Sequence, residues 1–164
     1  MRLVTKLIPQ DLAFADTAPW RFDFVGTVNA PPSKVWASFI DNHSWTEWFK
    51  NCKDCRATSD RFEGVGSTRS IRVNGLRVDE RFVAWEPERL WAFTGVAMNM
   101  AFASSLVERA TFTELPGERT RIDYRMAVAP KRWASPLRRL VASQATKAFA
   151  VSFANLDRYL TPTP

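Results

Sequence analysis

Hydrophobic positions along the chain follow two periods, and the switches between them divide it into elements. In WRFDFVGTV, residues 20–28, Trp20, Phe22 and Phe24 fall on one face and Arg21 and Asp23 on the other. That alternation predicts a half-buried strand. The spacing then lengthens. In PPSKVWASFI the apolar residues Val35, Trp36, Phe39 and Ile40 share one helical face, and Pro32 or Ser33 suits the first turn. A second short helix follows, with Trp45, Trp48 and Phe49 at i, i+3 and i+4. Asn42 or Ser44 is placed to cap it, and Glu47 stands three residues after Ser44, as in a capping box.

From Cys52 onward the period is two. A short strand is predicted over 55–59, then a turn through RFEGVG, then STRSIRV and LRVDERFVAW around Asn74-Gly75. Both of those turn residues tolerate positive φ, which makes the pair a strong hairpin signal. Residues 90–107 carry no charge and approach the length of a membrane span. Thr94, Gly95, Asn99, Ser104 and Ser105 dilute the run, and Trp91 and Phe93 alternate, so two strands joined near Asn99 are predicted instead. A turn at PGE, 116–118, leads into RTRIDYRMAV, where Ile122, Tyr124, Met126 and Val128 alternate with Arg121, Asp123 and Arg125. From Ser135 the residues Leu137, Leu140, Val141, Ala145, Ala148, Phe149, Ser152, Leu156 and Tyr159 recur at helical spacing, which predicts the longest element of the chain, ended by Pro162 and Pro164.

This order, a strand, two short helices, a run of strands and a long helix, belongs to the α+β class. A long antiparallel meander with one apolar face must curl around something. Only the last helix is long enough to cover it, and the two short helices are placed to close one end. The expected product is a curved sheet of six to seven strands wrapped around the C-terminal helix, with interior space between them as the default ligand site. Residues 20–164 form this single domain; residues 1–19 show no period and read as an arm laid on it.

Composition sharpens that picture. A chain of 164 residues fits one domain and buries a sizeable core without disulfides or metal. Its aromatics, 13% with twelve Phe and seven Trp, exceed what a minimal core requires, so some are expected to line a cavity. The net charge of +6 is spread through strands where cations alternate with acids, as in RVDERF, so no nucleic-acid partner is expected. The concentrated exception is PKRWASPLRR, 130–139. Pro9, Gln10 and Asp11 interrupt any apolar run near the start, so no signal peptide is read there, and two cysteines three positions apart make no secreted framework. A cytoplasmic protein with reduced thiols is the expectation.

Three stretches, VNAPPSKVWASFIDNHSWTEW, VDERFVAWEPERLWAF and ERATFTELPGERTRIDYR, together give the chain over about residues 20–160 a pattern that resembles the START-related (SRPBCC) superfamily, in particular its polyketide cyclase/dehydrase and lipid-transport branch. The resemblance implies a helix-grip fold and an internal hydrophobic cavity. Members include lipid carriers, hormone receptors, cyclases and aromatases; few share catalytic residues, so none is carried over here.

The candidate chemistry is sparse. DNHSWTEWFKNCKDC, 41–55, holds the only histidine, His43, and both cysteines, Cys52 and Cys55. Their spacing fits neither a zinc site nor a redox CxxC opening a helix, and no metal or cofactor is expected. The out-of-place polar residues carry more information. Glu80 shares a stripe with Leu76, Val78 and Phe82, and Glu108 shares one with Leu106, Ala110 and Phe112. If both stripes face inward, two carboxylates and Tyr124 enter the interior, each paired with an arginine (Arg69, Arg81 or Arg109), orienting a ligand, or acting as an acid or base. The expected lining is Trp36, Phe39, Phe82, Trp91, Phe93, Phe112, Tyr124, Phe149 and Phe153. Three functions follow: binding of a hydrophobic or amphipathic small molecule, which the pattern favours; a metal-free cyclase, aromatase or dehydratase using Glu80, Glu108, Tyr124 or His43; and a carrier that docks on membranes through KRWASPLRR with Trp133 at the interface.

Overall fold

A computed structural model describes residues 4–162 of the chain; residues 1–3 and the helix-ending Pro164 lie outside the described part. In chain order the elements are β1 Thr5–Lys6, α1 Phe14–Thr17, β2 Trp20–Val28, α2 Pro32–Ile40, α3 Trp45–Trp48, β3 Cys52–Ala57, β4 Thr68–Val73, β5 Leu76–Glu86, β6 Leu90–Met98, β7 Ala103–Leu115, β8 Arg119–Pro130, a 3-10 turn Arg132–Leu137 and α4 Arg138–Leu160. The sheet runs β2-β8-β7-β6-β5-β4-β3, antiparallel throughout, with β1 added against β6. It curves around α4 as an α+β helix-grip fold. Among the described residues, no helix is long and apolar enough to cross a membrane.

Local chemistry explains the turns. Asn74 and Gly75 both take positive φ (51° and 79°), and Val73 pairs directly with Leu76 in the two-residue hairpin expected of that dipeptide. The uncharged run over 90–107 is the β6–β7 pair. Pro32 opens α2 in the first turn. Ser44 does not cap α3 as a capping box would: its hydroxyl donates to the Ser38 carbonyl (2.6 Å) and accepts from the Trp48 indole N–H (3.3 Å). The side chain is thereby used to tie α2 to α3.

The eighth strand has a specific cause. β6 and β7 pair only over 90–94 with 107–111 and then part. The arm fills the gap. Thr5 and Lys6 pair with Met98 and Ala97, the Leu7 N–H donates to the Val96 carbonyl (3.0 Å), and the Ile8 N–H donates to the Ser104 carbonyl (2.8 Å). Leu7 is buried in the main core, against Gly95. Farther along, Ala15 and Ala18 pack on Val107 and Ala127 of the outer sheet face, and Asp16 binds Arg109 and Arg125 there (2.8 and 2.7 Å).

Two things seat α4. On β2, Gly26 leaves room for Phe153, because a Cβ at residue 26 would lie 2.5 Å from the Phe153 ring. In the second half of the helix, two polar contacts hold it: the Asp157 carboxylate accepts from the Asn29 backbone N–H (2.6 Å), and the Lys50 N–H donates to the Ser152 hydroxyl (2.9 Å). The fixed half of α4 therefore begins at Phe149, and Phe149, Ser152, Phe153 and Leu156 are its buried residues.

Candidate functional site

Between the sheet and the first half of α4 lies a cavity of about 490 Å³. Its walls follow strand alternation. β4 contributes Ile71 and Val73, β5 Leu76 and Val78, β8 Met126, and α4 contributes Val141, Ala145, Ala148 and Phe149. The far end rests on Trp45, Phe49 and Phe93. The near end opens where the β4–β5 turn, the β6–β7 connection and the 3-10 turn meet; Met100, Trp133 and Leu140 there are exposed to solvent.

Four polar side chains form the floor: Arg69, Glu80, Glu108 and Tyr124. The Arg69 Nε donates to the Glu80 carboxylate at 2.5 Å, and both side chains are almost wholly buried (1% and 2% exposed). The guanidinium also lies over the rings of Trp45 (4.5 Å) and Trp91 (4.9 Å). Its Nη1 has no hydrogen-bond partner. Burial pushes the Glu80 carboxyl up, against the pull of Arg69. Burial opposes the charge on Arg69, but the Glu80 carboxylate facing it outweighs that and holds the guanidinium above its ordinary range, so it stays charged. Neutralising Glu80 would leave a buried cation uncompensated, so the two act as an ion pair.

The second pair is different in kind. The Tyr124 hydroxyl donates to the Glu108 carboxylate. Burial pushes the Glu108 carboxyl up to about 7; the Tyr124 hydrogen bond opposes that rise, and the Glu80 charge adds to it. Burial and the neighbouring carboxylate likewise push the Tyr124 phenol well above its usual range, so it remains a donor. Near neutrality the floor thus holds one ionised pair and one carboxyl poised between its two forms.

Among the sequence candidates, Glu80, Phe93, Glu108, Tyr124 and Phe149 line this cavity. Trp36, Phe39, Phe82, Trp91, Phe112 and Phe153 do not. Phe39 is packed edge-on against Trp45, Trp91 and Phe112, with ring centroids 4.9–5.5 Å apart. Trp36 meets Trp85 and Phe112 edge-on, and Phe82 meets Trp85 and Trp91. Phe153 is occupied by its seat on Gly26. These rings fill the end that α2 and α3 close. His43 is exposed, outside the cavity, with its backbone N–H on the Asp41 carboxylate (3.0 Å), so it is no acid or base for anything bound there. Cys52 and Cys55 are buried in the core, the Cys55 Sγ on the Asn42 side-chain oxygen (3.7 Å); burial pushes the Cys55 thiol up to about 12, which keeps it protonated. Arg81 is exposed and Arg109 serves Asp16 on the outer face, leaving Arg69 as the residue that neutralises an interior acid.

Sequence reasoning missed the wall that β4 and the small face of α4 supply. Arg69, Ile71 and Val73 stand at alternate positions in TRSIRV, a signal masked by the polar residues between them.

Similarity to other proteins agrees with this architecture. An uncharacterised protein of Mycobacterium tuberculosis (strain H37Rv) is 28% identical over 107 residues, 65% of this chain. The chain spans 64% of the length of the curated relatives it matches. Among solved structures, a START superfamily protein from Mycobacterium smegmatis superposes with a TM-score of 0.70 at 13% identity, over 85% of this chain and 96% of that one. An aromatase/cyclase from Streptomyces sp. R1128 superposes with a TM-score of 0.67 at 14% identity, over 87% and 96%. At such identities the likeness is one of fold. Residues 19–161 match the model of the family described as polyketide cyclase / dehydrase and lipid transport, and the chain belongs to that family.

Proposed function

We propose that the cavity binds a hydrophobic or amphipathic small molecule, lipid-like or polyketide-like, with its apolar body along β4, β5 and α4 and an oxygen-bearing end on the floor. One observation carries the reading: an apolar space of about 490 Å³ that opens to solvent at one end and holds four polar side chains at the other. A ligand that buries roughly 200 Å² of apolar surface gains about 5 kcal/mol before the costs of association. The unpartnered Arg69 Nη1 and the Glu108–Tyr124 pair would supply orientation. In this reading residues 20–164 are the binding domain, and the arm completes its wall.

The test is native mass spectrometry for a co-purified molecule, with thermal melts against lipids, sterols and aromatic polyketides. Ala148→Trp places an indole in the cavity and is expected to abolish the melting shifts that the wild-type protein shows. Equal shifts in both proteins, or no bound molecule and no shift in either, would overturn the reading.

A second reading, a metal-free cyclase, aromatase or dehydratase, is favoured by one specific observation. Glu108, with a carboxyl near 7 and a hydrogen bond from Tyr124, has the proton affinity that general acid–base work at neutral pH requires. Glu108→Gln would then remove turnover of a bound carbonyl-bearing chain while leaving its binding intact; undiminished turnover sinks the assignment.

A further inference from the structure

The rim of the cavity has a character that ligand binding alone does not require. Met100, Trp133 and Leu140 are 51%, 61% and 58% exposed, and each also borders the opening. The chain has no acid between Met126 and Leu156, yet that interval holds Lys131, Arg132, Arg138, Arg139 and Lys147. Elsewhere Arg56, Arg77, Arg89, Arg121 and Arg125 are each paired with a carboxylate. Among the described residues none of the five cations in the 131–147 interval forms an ion pair. The other segments at the opening, 73–76 and 99–104, carry no charge of either sign. At the opening, therefore, a segment rich in unpaired cations carries exposed apolar side chains beside an apolar cavity.

We propose that this face docks on an anionic lipid bilayer. A bilayer presents the complementary chemistry, anionic headgroups beside hydrocarbon, and tryptophan favours the boundary between them. Nucleic acid would satisfy the cations but offers nothing for Met100 and Leu140 beside an open apolar cavity. Docking stands whatever the cavity holds; its consequence, exchange of the bound molecule with the membrane without passage through water, rests on the ligand-binding reading.

The experiment is co-sedimentation with vesicles of phosphatidylcholine alone and of phosphatidylcholine enriched in phosphatidylglycerol. Binding is expected only to the second, weakening as salt is raised. Lys131→Gln, Arg132→Gln and Arg139→Gln combined should weaken it about 100-fold, since each basic residue at the surface contributes roughly a factor of five. Trp133→Ala alone should weaken it several-fold. Lys34→Gln, Arg61→Gln and Arg119→Gln combined, which remove the same charge from surfaces away from the opening, should leave binding near wild type. Melting curves confirm that each variant folds. Equal sedimentation with both vesicle types, no sedimentation with either, equal losses in the two triple variants, or tighter retention on an RNA or DNA oligonucleotide would each overturn the proposal. Ala148→Trp separates the two readings: docking survives it, and ligand binding does not.

Discussion

The two ends of the space between sheet and α4 are built from similar stock and come out opposite. Around α2 and α3, Phe39 meets Trp45, Trp91 and Phe112 edge-on, and Trp48 packs tilted against Phe39 and Trp45, so that Phe39, Trp48, Trp91 and Phe112 face one another rather than the cavity. At the other end, Ile71, Val73, Val78 and Met126 line a void. The sheet side is apolar in both places. What differs is the opposing layer. The second half of α4 presents Phe149, Phe153 and Leu156, while the first half presents Val141, Ala145 and Ala148 and has no fully buried residue. Hollowness here is a property of small side chains on a helix held at a fixed distance, and that distance is set elsewhere, by Phe153 on Gly26 and by Asp157 on Asn29.

The sharpest way to break this comparison is truncation at each end. Phe39→Ala removes a fully buried ring from a packed cluster and is expected to cost about 3–5 kcal/mol. Val141→Ala enlarges a space that is already empty and should cost less than about 1 kcal/mol, since few contacts are lost. Urea denaturation of both variants provides the check. Equal costs would mean that the first half of α4 is packed as tightly as the second.

The floor gives a smaller effect that depends on pH. The Glu108 carboxyl has a folded value of about 7, against about 4.3 for an unfolded chain. Its neutral form is the one the fold favours, so its contribution is intact below the unfolded value and is lost as pH rises toward 7. Glu108→Gln keeps an acceptor for Tyr124 and carries no charge. The variant should gain on the wild type steadily from pH 4.5 to pH 7, reaching about 3 kcal/mol there, with the difference levelling off above about pH 8. A difference that does not change over this interval would show that Glu108 is ionised throughout, and the floor would then hold two charged pairs.

The comparison also marks what strand and helix periods reveal. Glu80 and Glu108 were legible as interior residues because alternation holds through them: the register shift between Asp79 and Glu80 puts its extra residue, Val96, on β6 rather than β5, and the shift in β7 falls at Ser104, before 106–112. Asn74-Gly75 was legible because its φ requirement is local. Period two says which face a ring is on, but not whether a neighbour reaches it. Trp36, Phe82, Trp91 and Phe112 are on the interior face as their spacing implies, yet α2 and α3 fill the space they face. The level at which α4 crosses the sheet decides this, and one glycine in a strand, Gly26, was the only local sign of it. The arm's place was not legible for a similar reason: nothing in residues 5–8 shows that β6 and β7 will part and leave their backbone groups for it.

The smallest effect tests hollowness most directly. Ala148 is half-buried on the cavity wall, and leucine there keeps good helix propensity. Each methylene it adds transfers about 0.8 kcal/mol of apolar surface out of water, offset by the rotamers the side chain gives up. Ala148→Leu should therefore be neutral or stabilising by about 1 kcal/mol, with reduced capacity for a bulky ligand. In a filled interior the same three carbons would collide with Phe149 or the β4 wall and cost roughly 1–3 kcal/mol. The sign of one stability difference distinguishes a void from a packed core without a ligand being identified, and so bears on the cavity independently of what occupies it.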